Sequence, residues 1–347
     1  MLLFADSFDH YSTAQVTRKW SATGNGQDLG AINSSAGRNT TSGWRNAFSS
    51  SASGGLQIAV PSNPATLVAG YAFYVGSLPA ASRFLFGFSE SGTLHTYFIL
   101  RTDGKIEAYR EGTPTLLGTS SGAIAASQYN YLEFKSTIHD STGVITAKVN
   151  GVTQINLSSQ DTRNGGSGVI TNAHFNGVVG TARATANNIA DIDDAYLVDT
   201  TGSTNTDFLG DVRVQAIFPT GAGNYTQWTP SAGSNFQNVD ENPATDDTDY
   251  NSSATVAQKD SFVCGDVTPT TGTVYGVCVN LVTRKDDAGT RSIRSLVRLS
   301  ATDANATAQT IGTSYANYQF IHETKPGGGA FSISDVNNSE YGYEITA

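Results

Sequence analysis

Two short runs in the middle of the chain decide its fold: Leu100-Arg-Thr-Asp-Gly-Lys-Ile-Glu-Ala-Tyr109 and Gly143-Val-Ile-Thr-Ala-Lys-Val-Asn-Gly151. Apolar and polar residues alternate in both, as they do in a half-buried strand. Asp103-Gly104 lies within the first run and Asn150-Gly151 ends the second. Because both dipeptides accept positive φ at the two centres of a short hairpin loop, the runs predict antiparallel hairpins.

Similar patterns predict further strands between Phe4 and Asp199. The predicted strands cover residues 56–60, 69–75, 84–88, 97–101, 105–110, 131–138, 144–149, 174–178 and 192–198. Short strands separated by turn residues are typical of a large two-sheet antiparallel sandwich. The order of these pieces resembles the concanavalin A-like or laminin-G-like lectin sandwich. That resemblance implies a protein that holds a ligand or partner.

Length and composition predict two all-β domains. The chain has 347 residues, 36 of them glycine, and only 14% are charged. Since this length exceeds one ordinary core, we expect a lectin-like sandwich over residues 1–200, a polar linker over 201–206 and a smaller, jelly-roll-like β-sandwich over 207–347. Strands of the second domain are predicted at residues 208–217, 273–285, 291–301, 318–323 and 341–345. Short helical segments are predicted at residues 12–20 and 332–337.

The charge balance argues against nucleic acid as a partner. The formal net charge is -10 and the pI about 4.8, so a phosphate backbone is repelled unless cations are concentrated on one face. Arg294 and Arg298 share one side of a predicted strand, but a nucleic-acid site needs several more cations. We therefore expect no nucleic acid, and a solvated sheet face at this position.

The apolar run at the amino terminus, Met1-Leu-Leu-Phe-Ala-Asp6, is too short for a signal peptide, and an acidic residue already ends it at position 6. No apolar run reaches the roughly 18 residues of a membrane span. These features predict synthesis in the cytoplasm of a host cell and no membrane contact. Cys264 and Cys278 flank a predicted hairpin near Thr271, so the sequence leaves open whether a disulfide bond joins them. A reducing compartment favours two free thiols.

A more specific resemblance extends over nearly the whole chain. It rests on these segments: Leu3-Phe-Ala-Asp-Ser-Phe-Asp-His-Tyr11, Ile192-Asp-Asp-Ala-Tyr196, Phe208-Leu-Gly-Asp-Val-Arg213, Trp228-Thr-Pro-Ser231, Val239-Asp-Glu241, Asp249-Tyr250 and Arg284-Lys-Asp-Asp-Ala-Gly289. Their order is similar to a family of tailed-bacteriophage and prophage virion proteins. The resemblance implies a non-enzymatic structural protein of the virion, a capsid decoration, collar or tail-associated component that binds other virion proteins. Long strand edges such as residues 273–285 further predict a homo-oligomer, with a trimer favoured.

The leading alternative is a carbohydrate-binding adhesin for the host surface. A flat aromatic ring can cover one face of a sugar, and the candidates for such contact are Trp20, Trp44, Trp228 and the pair Tyr97 and Tyr109. Buried aromatic rings also stabilise cores, and for Trp20 and Trp44 we expect that packing role. A weak glycan contact is therefore kept as a possible interaction of the first domain.

A glycan-cleaving sandwich hydrolase is the third hypothesis. Asp191 and Asp193 are two residues apart on a predicted strand, about 7 Å, a spacing that acid–base chemistry tolerates. The surrounding residues lack the Glu-x-Asp-x-Glu-type pattern of concanavalin-like hydrolases, so a structural role is expected. Gly118-Thr-Ser-Ser-Gly122 matches a nucleophile motif formally but lacks the helix it requires.

The sequence predicts no catalytic, cofactor-binding or metal-binding residue. Its five histidines are scattered, with no partner at ligand spacing. Asp246-Asp-Thr-Asp249 offers oxygen ligands for calcium but lacks the spacing of a calcium loop, so calcium binding there stays open.

Overall fold

The computed structural model of the chain describes residues 1–25, 30–47, 53–176 and 189–347. The protein consists of two compact units. Unit 1 comprises Met1–Asp9 and Trp20–Val214, and unit 2 comprises His10–Lys19 and Gln215–Ala347. Residues 201–206, where the sequence predicts a linker, lie within unit 1. None of the helices in the described ranges is long and apolar enough to span a membrane.

Unit 1 is an antiparallel β-sandwich, as predicted. Its strands are β1 Leu2–Asp6, β2 Ala22–Asn25, β3 Ala31–Asn33, β4 Gly43–Ala47, β5 Ser53–Ala59, β6 Thr66–Val75, β7 Arg83–Glu90, β8 Thr93–Leu100, β9 Lys105–Arg110, β10 Thr115–Ala123, β11 Tyr129–Thr137, β12 Gly143–Val149, β13 Val152–Gln160, β14 Asn172–Phe175 and β15 Ile189–Asp199. Sheet A has the order β13-β12-β11-β6-β15-β4-β3, with β1 paired to β15. Sheet B has the order β10-β9-β8-β7-β14-β5-β2. A short 3-10 turn covers Arg38–Thr40.

Both predicted hairpins form, with different turn geometry. Asn150 and Gly151 have φ of 51° and 76°, so the loop between β12 and β13 has the expected two positive angles. Between β8 and β9 only Gly104 is left-handed, with φ of 82°. The Asp103 carboxylate instead accepts the backbone N–H of Lys105 at 3.1 Å, and this hydrogen bond stabilises the turn.

The core of unit 1 is built from aromatic rings that meet between the sheets. Phe86 of sheet B stacks on Phe134 of sheet A, with ring centroids 5.4 Å apart and planes 9° apart. Phe98 and Phe175 of sheet B and Tyr71 of sheet A complete the cluster, and all five are fully buried. Burying one such side chain contributes about 1.5–3 kcal/mol, so this cluster holds the two sheets together.

Residues 207–214 form a tail that lies along the outward side of sheet A. The sequence predicts a strand over residues 208–217, and this prediction is wrong. Three backbone N–H groups of the tail donate to side chains of sheet A: Leu209 to the Tyr196 hydroxyl at 3.1 Å, Gly210 to Glu133 Oε1 at 2.8 Å, and Val214 to Asp194 Oδ1 at 2.7 Å. Because these donors are used by side chains, the tail pairs with no strand among the described residues.

Glu90, at the end of β7, fixes the glycine-rich loop of residues 164–168. Its carboxylate accepts the backbone N–H and the hydroxyl of Ser167, at 2.9 and 2.7 Å, and the N–H of Gly168 at 3.1 Å. These hydrogen bonds, above all those from Ser167, lower the pKa of Glu90 to about 2. Gly166 has φ of 65°, and a Cβ at this position would overlap the Glu90 carboxylate.

Unit 2 is a smaller antiparallel unit. Its strands are β16 Pro219–Thr226, β17 Thr229–Pro230, β18 Asn251–Ser252, β19 Lys259–Cys264, β20 Val277–Thr283, β21 Ser292–Leu299, β22 Thr302–Asn305, β23 Gln309–Thr310, β24 Ala316–His322 and β25 Glu340–Ile345. Its helices are the 3-10 segments Thr13–Arg18, Asn235–Asn238 and Asp246–Thr248, and α1 Ile333–Asn337. A sheet of order β16-β19-β25-β21-β22 packs against the pair β20-β24, since Phe320 shares a core with Phe262 and Tyr343. The two short helical segments predicted from sequence are therefore present.

The predicted hairpin between Cys264 and Cys278 does not form. Cys264 ends β19, which pairs with β16 and β25, whereas Cys278 lies in β20, which pairs with β24. Neither cysteine forms a disulfide bond. Burial raises the pKa of the Cys264 thiol to about 12, so this thiol stays protonated near neutral pH.

The loop held by Glu90 yields a matched pair of substitutions. Gly166→Ala introduces a Cβ against the Glu90 carboxylate, whereas Gly165, with a nearly identical φ of 67°, has open space at its Cβ position. In both variants the alanine must adopt a left-handed backbone conformation, which lowers the free energy of unfolding. We expect Gly166→Ala to lose about 1–3 kcal/mol more than Gly165→Ala in urea-unfolding measurements. Equal losses would show that Glu90 does not hold this loop.

Candidate functional site

A row of side chains crosses the outward side of sheet B. Strand pairing places His174 opposite both Gln57 and Gly87, Gly87 opposite Tyr97, and Tyr97 opposite Tyr109. Leu116 lies opposite Tyr109 on the next strand. We call this set the outer row; its members are Gln57, His174, Gly87, Tyr97, Tyr109 and Leu116. It brings together residues that are far apart in sequence.

Three parallel rings form the centre of the site. Tyr97 stacks between Phe84, at a centroid distance of 6.0 Å, and Tyr109, at 5.3 Å, with planes 11° and 10° apart. Gly87 makes this possible, because a Cβ there would lie 2.7 Å from the Phe84 ring. Phe84 and Tyr97 are 2% and 7% exposed, whereas Tyr109 is only half-buried and Leu116 is 48% exposed. The stack therefore opens to solvent at Tyr109 and Leu116.

A charged pair lies beside the open end of the stack. The Tyr109 hydroxyl donates to Glu107 Oε2 at 2.8 Å, and Arg101 Nη1 donates to Glu107 Oε1 at 2.8 Å. Arg101 Nε also donates to Asp103 Oδ1 at 3.2 Å. Burial and the neighbouring Glu107 raise the pKa of Tyr109 to about 12, so the phenol keeps its proton at neutral pH. Donors and acceptors thus surround an apolar ring.

His174 lies between Gln57 and Gly87 in the outer row. It is 3% exposed, and its Nε2 lies 2.8 Å from the Ser89 hydroxyl. Its Nδ1 is buried and has no hydrogen-bond partner among the described residues. Burial lowers the pKa of His174 to about 4, so the imidazole is neutral at pH 7. A buried ring nitrogen without a partner is unusual enough to mark this position as a candidate for ligand contact.

Of the aromatic candidates from sequence, only Tyr97 and Tyr109 form a surface platform. Trp20 is fully buried and donates to Asp6 Oδ2 at 2.8 Å. Trp44 is buried and donates to Asn46 Oδ1 at 2.7 Å. Trp228 packs edge-on against Tyr343 in unit 2 and donates to a backbone carbonyl. These indoles anchor cores, which is the packing role expected for Trp20 and Trp44.

Asp191 and Asp193 lie on the outward side of sheet A, away from the outer row. Two arginine nitrogens of Arg45 hold both oxygens of Asp191, each at 2.7 Å. Asp193 is buried and accepts the backbone N–H groups of Arg38 and Asp194, both at 2.8 Å. Burial, followed by the charge of Asp194, raises the pKa of Asp193 to about 8. Both carboxyl groups are thus already engaged by protein donors.

The acidic loop of unit 2 is held by arginines. Arg18 binds both oxygens of Asp246 at 2.6 Å, and Asp247 accepts hydrogen bonds from Arg284 and Tyr315, each at 2.8 Å. Within the described ranges no group of three or more His, Cys, Asp or Glu side chains is arranged to hold a metal ion. In this arrangement the carboxylates of Asp246 and Asp247 serve to fix the loop.

Two other sequence motifs have structural roles. Gly118-Thr-Ser-Ser-Gly122 lies within strand β10, and Ser120 Oγ accepts the Ile106 N–H and donates to the Gly122 carbonyl. Arg294 and Arg298 pair with Glu344 and Asp303, so neither presents an uncompensated charge.

The sequence contained a signal for part of the outer row. Their aromatic rings identified Tyr97 and Tyr109 as candidates for sugar contact, and the register of β8 and β9 places them directly opposite each other. His174 and Gln57 were missed as site residues because β14 is inserted between β5 and β7. Nothing in the local sequence specifies that insertion.

No protein-family model matches the chain, and no curated protein matches it. Among solved structures, the chain is similar to an alginate lyase, with a TM-score of 0.42 and 14% identity over 56% of this chain and 95% of that one. An endo-β-1,4-glucuronan lyase from the fungus Trichoderma reesei gives 0.42 and 10% over 57% and 95%. A galectin from Caenorhabditis elegans gives 0.30 and 15% over 42% and 91%. All three likenesses are weak, with TM-scores below 0.5.

These matches correct two expectations from the sequence. The expected function, a non-enzymatic virion component, is contradicted, because the matched proteins are lyases and a galectin. The expectation that the chain is not an enzyme is contradicted by the same lyases. The segments behind the virion resemblance include Ile192-Asp-Asp-Ala-Tyr196 in β15 and residues 208–213 in the tail, and both take part in the fold of unit 1. The family resemblance and the predicted trimer stay predictions. Likenesses this weak transfer no substrate and no residue role.

Gly87 is the position on which the ring stack depends. In Gly87→Ala the new methyl group meets the Phe84 ring at 2.7 Å and Leu94 at 3.0 Å, so the stack must shift. We expect a loss of about 1–3 kcal/mol in the free energy of unfolding and altered near-ultraviolet circular dichroism. Gly76→Ala is the control, because its Cβ would meet only the Tyr74 hydroxyl, at 4.0 Å. Equal free energies of unfolding for the two variants would contradict the close approach of the Phe84 ring to Gly87.

Buried His174 predicts a defined dependence of stability on pH. Its pKa is about 4 in the folded chain and near 6.5 when unfolded, so between these values only the unfolded chain binds the proton. The stability that this group contributes is present above pH 6.5 and is lost as the pH falls toward 4. Relative to His174→Gln, the parent should lose up to about 1.4 kcal/mol per pH unit in this window, measured by urea unfolding. Parallel profiles would mean that His174 is not buried.

Proposed function

We propose that unit 1 binds a glycan on the outward side of sheet B. The observation that carries this proposal is the ring stack of Phe84, Tyr97 and Tyr109, which ends in a half-exposed ring beside Glu107 and Arg101. The C–H face of a sugar packs against an apolar ring, and its hydroxyl groups need donors and acceptors around that ring. The Tyr109 end of the outer row presents both.

The charged pair suits hydroxyl recognition. Glu107 accepts hydrogen bonds, Arg101 donates them, and the Arg101 side chain remains 40% exposed. Glu107 is held by Arg101 and Tyr109, and Arg101 is held by Glu107 and Asp103, so little side-chain freedom is lost when a ligand binds. Leu116 extends the apolar surface on the neighbouring strand.

Cleavage of the bound glycan is the second candidate function. It is favoured by His174, a neutral imidazole in the same row whose buried Nδ1 meets no partner in the part of the chain that the structure describes. A neutral histidine with a free lone pair can accept a proton from a substrate that reaches it. Release of new sugar ends from a bound polysaccharide, lost in His174→Gln while binding persists, would establish this activity.

The binding proposal is tested with a glycan array followed by calorimetric titration of the strongest hit. Tyr109→Ala removes the exposed ring, and we expect at least tenfold weaker binding, about 1.4 kcal/mol. Tyr74→Ala is the matched control, since Tyr74 is a half-buried tyrosine that faces outward on sheet A, against Tyr129. Its affinity should equal that of the parent.

Two results would contradict the proposal. The first is an array on which no glycan is retained by the parent protein. The second is a glycan that binds Tyr109→Ala and the parent equally well, because binding would then take place elsewhere.

A further inference from the structure

We infer that Glu107 makes this site selective for uncharged glycans over acidic ones. The inference rests on the proposed function and adds the class of ligand. Arg101, the exposed cation next to Tyr109, is bound by two carboxylates, through Nη1 to Glu107 and through Nε to Asp103. Its charge is therefore already compensated within the protein.

The other charged side chains at the Tyr109 end of the outer row leave its net charge near zero. Lys105 precedes Glu107 by two residues on β9, so strand alternation places both on the same side. The described cations there, Arg101 and Lys105, are matched by the carboxylates Asp103 and Glu107. An acidic glycan brings a further negative charge close to these carboxylates and finds no excess of positive charge.

Glu107 differs from an ordinary surface carboxylate because it also contacts the ring of the proposed sugar site. It accepts the Tyr109 hydroxyl at 2.8 Å, so it touches the ring on which the sugar packs. A carboxylate group on that sugar would approach Glu107 itself, and the repulsion acts at short range in a partly desolvated site. Hydroxyl groups, by contrast, donate to Glu107 and accept from Arg101.

Glu107→Gln changes the charge and keeps the shape. The amide oxygen still accepts a hydrogen bond from Tyr109 or Arg101, while the guanidinium loses one of its two carboxylate partners. The released positive charge should then attract an acidic sugar. Asp161→Asn is the matched control, since it removes one negative charge from an exposed pair with Arg110 on the same strand.

The experiment titrates the full chain with neutral oligosaccharides of glucose, xylose and N-acetylglucosamine and with acidic oligosaccharides of uronic acids, at low and high salt. At low salt we expect the parent and Asp161→Asn to bind a neutral oligosaccharide at least tenfold more tightly than any acidic one, and the affinity for the neutral oligosaccharide should not depend on salt. In Glu107→Gln the ratio of the affinity for neutral oligosaccharides to that for acidic ones should fall at least tenfold. The fall should come from tighter binding of the acidic oligosaccharides, and added salt should abolish it.

The outcomes distinguish this inference from the proposed function. If the parent prefers an acidic oligosaccharide, or if Glu107→Gln leaves the preference unchanged, the selectivity assigned to Glu107 is wrong and glycan binding stands. If no oligosaccharide of either class binds the parent, the proposed binding site itself is wrong.

Discussion

Packing of aromatic rings between the two sheets of unit 1 determines which side chains face outward. Because successive residues of a strand point to opposite sides, inward Phe86 and Phe88 place Gly87 and Ser89 outward. A register shift between Phe84 and Phe86 lets the Phe84 ring lie on the outward side as well. In the same way inward Phe98 and Phe175 place Tyr97 and His174 outward. A shift of one residue in any of these strands would expose a phenylalanine and bury a polar group. The outer row is thus a direct consequence of the core.

The outward sides of the two sheets differ in how far their polar side chains are used in hydrogen bonds within the unit. On sheet A the outward polar side chains are used inside the unit: Arg45 binds Asp191, and Glu133, Asp194 and Tyr196 receive N–H groups of the tail. On sheet B the network around Glu107 ends at an arginine that is 40% exposed and a leucine that is 48% exposed. A surface whose hydrogen bonds are internally satisfied offers little to a ligand, whereas one with spare donors and apolar area does. This difference assigns the candidate site to sheet B.

What could be predicted from sequence is what local physics determines. The strands at residues 105–110 and 144–149 were found because alternation and turn dipeptides are encoded within a few residues. The strand expected over residues 208–217 failed because its backbone donors find acceptors on distant side chains. Tyr97 and Tyr109 are joined by one hairpin, so they were recognisable as a pair. His174 and Gln57 enter the row only through non-local pairing of β14 and β5, which no local pattern specifies.

Rigid placement of the ring stack bears on how a ligand would be held. Tyr97 lies between two parallel rings, and Phe84 occupies the space that Gly87 leaves free, so both are fixed before any ligand arrives. A preformed platform lowers the ordering cost of binding. Its exposed area is nevertheless small, because Tyr109 and Leu116 alone carry most of the accessible apolar surface of the row. For the proposed glycan ligand we therefore expect modest affinity per segment, and firm attachment to a repeating polymer would require several sites to be engaged at once, each raising the effective concentration of the next.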